Sequence, residues 1–159
     1  MKIIEQEEVR KLLQPKDCIQ LMAEALKGLE SGEYAQPARL ITVMPNTAKF
    51  GFMPAYVGDY FGAKVISAFA PNMGTKYPSH IGYVMLFESA HSTVAGMIEA
   101  GSITEIRTGA VSAAATDLLA RKDSHKLALI GAGAQARSHL AAIREIRDIT
   151  SVTVYDLFP

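Results

Sequence analysis

Residues 126–136 read KLALIGAGAQA, and this stretch decides the fold. The apolar run 126–131 ends in glycine, which indicates a strand that leads into a turn. The residues RSHLAAIREI at 137–146 follow a helical pattern, and SVTVYD at 151–156 reads as a second strand. A strand, a glycine turn, a helix and a strand in this order predict the opening βαβ unit of a doubly wound α/β fold.

The small residues of the turn suit a dinucleotide phosphate site. Gly131 permits the tight turn that leaves the strand, and Gly133 lets the backbone approach a pyrophosphate. Ala136 keeps the helix close to the sheet. Because a helix start carries free N–H groups, we expect Ala134 and Gln135 to contact the phosphates through their backbone. Gln135 is alternatively an ordinary exposed residue of the first helical turn.

Asp156 identifies the cofactor that this turn would hold. It ends the second strand, twenty residues after Ala136. A carboxylate at this place accepts hydrogen bonds from the adenosine ribose hydroxyls and repels a ribose phosphate, so NAD is favoured over NADP. The alternatives are a turn with a purely structural purpose and a site for S-adenosylmethionine.

Composition excludes several other classes of protein. The 159 residues include 16 Lys+Arg and 16 Asp+Glu, and this zero net charge argues against a nucleic-acid partner. The N-terminal residues MKIIEQEEVRK do not resemble a signal peptide, and no apolar run is long enough to predict a membrane span. The single cysteine, Cys18, excludes an internal disulfide and favours a cytoplasmic location, where it is most simply a small buried side chain. The four histidines have no metal-ligand spacing, so we expect no metal.

The first 121 residues combine helices with a sheet. Periodicity predicts helices over 5–13 and 15–31, and five strand-like runs lie between 38 and 99, which predicts a largely antiparallel or mixed sheet. A long helix is predicted over 102–121, with Ser102 and Glu105 as a capping box. Its alanines leave one side thin, so a neighbour can pack close to the backbone. We place the domain boundary near 122–125.

Five motifs together resemble the ornithine cyclodeaminase/mu-crystallin family. They are PARL at 37–40, GDYFGAKVIS at 58–67, PSHIGYVMLF at 78–87, ITEIRTGAVSAAAT at 103–116 and LIGAGAQA at 129–136. The resemblance implies an α+β substrate-binding and dimerisation domain with a mixed sheet at 1–122. The first βαβ unit of an NAD-binding Rossmann domain would follow at 123–159. Members are about twice as long and carry a catalytic aspartate in their C-terminal half, so we expect a truncated, inactive chain.

The resemblance also implies roles for four side chains outside the turn. Arg39 would grip the substrate carboxylate, with a surface ion pair as the alternative. Lys64 would bind the substrate and serve as an acid/base catalyst, unless strand alternation turns it to solvent. Arg107 would face cofactor and substrate, or else lie on a solvated helix face. Ser79 would contact the nicotinamide end of the cofactor.

The implied reaction is NAD-dependent chemistry at the α-carbon of an amino or imino acid in a homodimeric enzyme. Conversion of L-ornithine to L-proline and ammonia is the first expectation. However, the loop NTAKFGFMP at 46–54 has no carboxylate to receive a terminal amine. The alternatives are therefore an alanine dehydrogenase, a ketimine reductase, or a non-catalytic NAD(P)H-binding protein of the mu-crystallin type.

Overall fold

The computed structural model describes residues 1–157, which form two compact units. The first unit contains residues 1–10 and 27–102, and the second contains residues 11–26 and those from 103 onward. The helices are α1 (Gln6–Leu12), α2 (Pro15–Ser31), α3 (Ala100–Leu119) and α4 (Ala134–Arg144). The strands are β1 (Lys2–Ile4), β2 (Leu40–Val43), β3 (Lys49–Val57), β4 (Tyr60–Ala68), β5 (His80–Glu88), β6 (Val94–Glu99), β7 (Lys126–Ile130) and β8 (Ser151–Tyr155). The predicted α/β class is confirmed, whereas the predicted domain division at 122/123 stays a prediction.

The first unit is built on a six-stranded sheet with the order β1-β6-β5-β4-β3-β2. The strands from β2 to β6 are antiparallel to their neighbours, as the five strand-like runs predicted. β1 pairs in parallel with β6, which makes the sheet mixed. β1 was not predicted, because three residues are too few to show an alternating pattern.

Pro54 lies inside β3 without breaking the sheet. Pairing between β2 and β3 ends at Leu40 and Phe52, so the second half of β3 has no long partner on that side. Only an isolated bridge between Ala35 and Tyr56 follows. Proline lacks an N–H donor and is tolerated at such an edge, so this half of β3 needs no ladder partner at Pro54.

One face of the sheet carries Lys64 together with four glycines. Cross-strand pairs place Gly51, Gly62, Gly82 and Gly96 on this face. Ile66 pairs with Gly51 on one side and Gly82 on the other, and a Cβ added to Gly51 would meet the Ile66 side chain at 2.8 Å. The Ile66 side chain therefore occupies the space above its glycine neighbours. On the same face of β4, Lys64 lies between Gly62 and Ile66.

The start of α3 corrects the predicted capping box. The helix begins at Ala100, and the Glu99 carboxylate accepts hydrogen bonds from the backbone N–H groups of Gly101 and Ser102, the latter at 2.8 Å. Ser102 is 1% exposed and lies inside the helix, so the Ser102–Glu105 prediction was wrong. A carboxylate before the helix satisfies the same free donors that a serine cap would have bound.

The second unit contains the parallel pair β7 and β8 and a small core between α3 and α4. Ala113, Ala142 and Ile143 form the buried centre of this core. Partly buried apolar side chains surround it: Ile19, Leu127, Ile146 and Ile149. The parallel pairing of β7 with β8 confirms the predicted βαβ unit.

A buried arginine closes the carboxyl end of α3. Arg147 is 6% exposed, and its guanidinium donates to the Asp117 carboxylate at 2.5 Å. It also donates to the carbonyl oxygens of Ala120 and Arg121, at 3.1 and 3.2 Å. The last carbonyls of a helix have no partner within it, so Arg147 supplies hydrogen bonds to acceptors that the helix leaves incompletely satisfied. Among residues 1–157, no helix is long and apolar enough to cross a membrane.

Candidate dinucleotide and substrate site

Gly131 leaves β7 in a backbone conformation that favours glycine. Its φ is +97°, and its N–H donates to the Tyr155 carbonyl oxygen at 2.7 Å. An added Cβ would meet nothing within 4 Å, so only the backbone angle disfavours a side chain here. The predicted tight turn at Gly131 is therefore present in the structure.

Gly133 is the N-cap of α4, and it differs from Gly131 in having an ordinary backbone. Its φ of −74° and ψ of −169° are open to most residues. No side chain caps the helix, and an added Cβ would meet nothing within 4 Å. The exposed residues Ala134 and Gln135 follow, with the unpaired N–H groups of a first helical turn. This arrangement leaves room for an anion to approach the start of α4.

Asp156 follows β8 and reaches back to the glycine turn. One oxygen of its half-buried carboxylate accepts the N–H of Ala132 at 2.6 Å. A short, charge-assisted bond of this kind fixes the carboxylate beside the turn. The sequence predicted that Asp156 would lie near the cofactor ribose. The structure adds a hydrogen bond that links the glycine turn to the end of β8.

The alanines of α3 predicted that some neighbour could pack close to its thin side, and the structure shows that this neighbour is α4. Ala110 and Ala113 are fully buried. A Cβ added to Gly109 would lie 2.5 Å from the carbonyl oxygen of Ser138, so the two helix backbones are in close contact. The small residues of α3 therefore allow a close helix crossing next to the glycine turn.

Arg107 and Cys18 belong to the same compact unit as the turn. Burial raises the pKa of the Cys18 thiol, and the charge of Arg107 acts more weakly in the opposite direction. A buried thiol with a raised pKa is a poor nucleophile, which agrees with the prediction of a structural cysteine. Arg107 is half-buried in the second turn of α3, and its role toward cofactor and substrate stays a prediction.

The predicted substrate residues Arg39 and Lys64 belong to the six-stranded unit. Arg39 is exposed and directly precedes β2. Lys64 lies in the centre of β4, half-buried, and pairs with Met53 on β3 and Val84 on β5. Both cross-strand neighbours are apolar, and the predicted roles of Lys64 in substrate binding and acid/base catalysis stay predictions.

Ser79 also belongs to this unit, immediately before β5. Its carbonyl oxygen accepts the N–H of Phe69 at 2.8 Å, and its hydroxyl lies 3.2 Å from Nδ1 of His80. The backbone bond fixes the residue at the end of the loop that follows β4. The predicted contact with the nicotinamide end stays a prediction.

Sequence reasoning missed one set of contacts beside the turn. Nε2 of His139 lies 2.9 Å from the hydroxyl of Ser112, and its Nδ1 lies 2.6 Å from the carbonyl oxygen of Gln135. The four-residue spacing of Gln135 and His139 was a signal within the sequence, but the partner on α3 was not. Among the described residues, no group of three or more His, Cys, Asp or Glu side chains could hold a metal ion.

The sequence profile of the ornithine cyclodeaminase/mu-crystallin family matches residues 1–159. The mouse ketimine reductase mu-crystallin is 35% identical over 127 residues, which are 78% of this chain and 40% of that protein. The Thermococcus litoralis Δ1-pyrroline-2-carboxylate reductase, solved with NADH and L-proline, is 33% identical with a TM-score of 0.93. That match covers 100% of this chain and 50% of the reductase.

An archaeal alanine dehydrogenase, solved as a dimer with bound NAD, is 28% identical with a TM-score of 0.93. The match covers 98% of this chain and 48% of the dehydrogenase. The chain thus spans about half the length of the relatives it matches. Since the family profile covers the whole sequence, this chain belongs to the ornithine cyclodeaminase/mu-crystallin family.

Proposed function

We propose that this protein binds NAD(H) and serves in hydride transfer at the α-carbon of an amino or imino acid. The observation that carries the proposal is Gly133. Among the twelve glycines of the described chain, it alone has neither a positive φ nor an atom within 4 Å of an added Cβ. No neighbour in the described chain accounts for glycine at this position, which supports a ligand that approaches the backbone there.

The chemistry of the turn fits a nicotinamide dinucleotide. The N–H groups at the start of α4 suit a pyrophosphate, and the Asp156 carboxylate, held by Ala132, suits ribose hydroxyls. A fixed negative charge at this place disfavours a ribose phosphate, so we propose NAD(H) as the cofactor. When bound, the nicotinamide ring would supply the hydride acceptor or donor.

Three cationic side chains are proposed for the substrate. The exposed guanidinium of Arg39 can hold both oxygens of a carboxylate, and Arg107 would neutralise further negative charge. Lys64 is proposed to move a proton at the substrate nitrogen, because an amine can serve as an acid or a base and the family has a substrate-binding lysine at this motif. All three roles are proposed from family membership and from the chemistry of these side chains.

We propose reduction of an imino acid, or the reverse dehydrogenation, as the reaction class. Lys64 is paired with the apolar residues Met53 and Val84, and the segment 46–54, which the structure shows to be mostly strand β3 and not the predicted loop, has no carboxylate for a second amine. Both features favour a substrate with an apolar side chain. Ornithine cyclodeamination is the second candidate, because the chain belongs to the family that carries this activity in its name.

The test supplies the full-length protein with NADH and a cyclic imino acid, with NADH, pyruvate and ammonium, and with NAD⁺ and L-ornithine. Reduction consumes NADH in the first or second mixture. Cyclodeamination instead releases ammonia from ornithine with no net change in NADH, and this result would replace the first candidate by the second. Binding of NADH without turnover in any mixture would favour a binding protein, and no binding of NADH would overturn the cofactor assignment.

A matched pair of lysine variants tests the substrate side. We expect Lys64→Gln to lower kcat/KM by about 100-fold, which is typical of a lost acid/base group. Lys49→Gln, on the same sheet face but exposed, should stay within about twofold. Equal effects of the two variants would remove Lys64 from the proposed machinery.

We also propose that the protein is a homodimer. The sheet face opposite Lys64 exposes large apolar side chains, including Phe50 at 42%, Phe52 at 41% and Ile81 at 55%. A contiguous exposed apolar face of this kind marks an association surface, and the alanine dehydrogenase relative was solved as a dimer. Sedimentation of the full-length protein as a stable monomer would contradict this proposal.

A further inference from the structure

His139 joins the two helices that meet beside the glycine turn. It lies in α4, half-buried, with Nδ1 at 2.6 Å from the Gln135 carbonyl oxygen and Nε2 at 2.9 Å from the Ser112 hydroxyl on α3. All three residues belong to the same compact unit. One imidazole therefore connects the first turn of α4 to the middle of α3.

The hydrogen-bond partners fix the tautomer of this ring. A carbonyl oxygen only accepts, so the proton of the neutral ring lies on Nδ1, which donates to Gln135. Nε2 is then an acceptor, and the Ser112 hydroxyl donates to it. Ser112 lies inside α3, where the backbone N–H groups are used by the helix and cannot hold an oxyanion. The arrangement is suited to holding two helices together and not to nucleophilic attack.

The helix crossing gives this contact mechanical support. Near His139, the backbone of Ser138 lies so close to Gly109 that an added Cβ would be 2.5 Å from its carbonyl oxygen. The Ser138 hydroxyl also bonds the Gln135 carbonyl oxygen, at 3.0 Å, from within α4. The Gln135 carbonyl oxygen thus accepts two side-chain hydrogen bonds. The donor His139 also contacts Ser112 on α3, whereas the bond from Ser138 stays within α4. Ser138 therefore serves as the control for His139.

We infer that His139 is a positioning residue for the dinucleotide: through Gln135 it holds the first turn of α4 against α3, so that the N–H groups of this turn stay aimed at the pyrophosphate. This inference rests on the proposed binding of NAD(H). Both ring nitrogens are engaged by partners within the protein, so we assign the ring a positioning role and not a catalytic one. Its loss should weaken cofactor binding while leaving the hydride-transfer step nearly intact once the cofactor is bound.

The experiment measures the Kd of NADH by fluorescence titration, kcat at saturating NADH, and urea unfolding, all on the full-length protein. We expect His139→Ala to raise Kd about tenfold, with kcat within about twofold, because two hydrogen bonds are lost. Ser112→Ala should raise Kd about threefold. The Ser112→Ala/His139→Ala double variant should be no worse than His139→Ala, since the two side chains act through one contact.

Two further variants separate positioning from general helix stability. His139→Asn places an amide near the position of Nδ1 and can restore the bond to Gln135 but not the bond to Ser112 on α3, so its Kd should match that of His139→Ala. Ser138→Ala removes a bond to the same carbonyl oxygen without releasing α3, so its Kd should stay within about twofold of wild type.

An unchanged Kd in His139→Ala would overturn the inference, as would a loss in Ser138→Ala equal to that in His139→Ala. Additive effects of Ser112→Ala and His139→Ala would also overturn it. If His139→Ala does not fold, the difference between Ser112→Ala and Ser138→Ala decides. Failure of the wild-type protein to bind NADH would instead refute the proposed function itself, so the two failures are distinguishable.

Discussion

Gly109 and Gly133 lie in the same compact unit, but the structure gives opposite reasons for them. At Gly109 an added Cβ would be 2.5 Å from the carbonyl oxygen of Ser138, so the neighbouring helix excludes a side chain. At Gly133 the backbone is ordinary and an added Cβ would meet nothing within 4 Å. The first glycine serves packing within the chain, whereas the second leaves space that we assign to a ligand. Substitutions at the two sites should therefore affect different quantities.

The largest effect is expected at Gly109. Alanine favours a helix over glycine by about 1 kcal/mol, but the added methyl group must push α4 away, at a cost of about 3 kcal/mol. Gly109→Ala should therefore lower the free energy of urea unfolding by about 2 kcal/mol. Ala115→Gly on the exposed side of α3 is the control for propensity alone, with an expected loss of about 1 kcal/mol. A gain in stability for Gly109→Ala would show that the helices can separate freely.

A substitution at Gly133 should weaken the binding of NADH and leave the free energy of unfolding nearly unchanged. Threonine caps a helix about as well as glycine, so Gly133→Thr should alter the free energy of unfolding by less than about 0.5 kcal/mol. Its side chain would occupy the open space, and we expect the Kd of NADH to rise about tenfold, which corresponds to about 1.4 kcal/mol. Loss of stability without loss of affinity would reverse the distinction between the two glycines.

Gly131 tests a third reason for glycine, which is backbone angle. Its φ of +97° disfavours other residues, but an added Cβ has no close neighbour. Gly131→Ala should therefore lower the free energy of unfolding by about 1 kcal/mol, less than Gly109→Ala. Thermal or urea unfolding measures the loss of stability in each variant. A larger loss for Gly131→Ala than for Gly109→Ala would show that backbone strain costs more than side-chain crowding in this protein.

The smallest effect concerns pH and the helix that carries Gly109. The hydrogen bond from Arg147, followed by that from Lys122, lowers the pKa of the Asp117 carboxyl below its usual range. A lowered pKa in the folded state means that the stabilisation is complete above the unfolded pKa and is lost as the pH falls through the folded value. Unfolding free energies measured from about pH 5 down to about pH 2 should fall less steeply in Asp117→Asn than in wild type. Asp123→Asn, at an exposed ion pair, should keep the wild-type slope.

The parts of the fold that could be predicted are those coded by neighbouring residues. The apolar run 126–130, the glycine turn and the strand ending at Tyr155 carry their periods and turn residues within one segment, and the structure contains them. The same holds for the five antiparallel strands. β1 could not be predicted, since its three residues gain their partner only from β6.

The missed contacts of the site arise between segments that are distant in sequence. Ser102 and Glu105 have the spacing of a capping box, but Glu99 lies closer to the first free N–H groups and binds them. Ser112 and His139 are 27 residues apart, and only the crossing of α3 and α4 brings them together. Local patterns therefore located the turn, while the contacts that hold it required the tertiary fold.

The position of Arg147 has a consequence for how the chain is made. Its carbonyl partners at and just beyond the carboxyl end of α3, from Thr116 to Arg121, precede it by 26 to 31 residues. When α3 first leaves the ribosome, its last carbonyls therefore have only local donors, such as the Lys122 ammonium at 2.8 Å from the Asp117 carbonyl oxygen, and water. Only after β7, α4 and the following loop have been synthesised does the guanidinium reach these carbonyls. The long-range contacts that cover the end of the helix thus depend on a residue translated well after the helix itself.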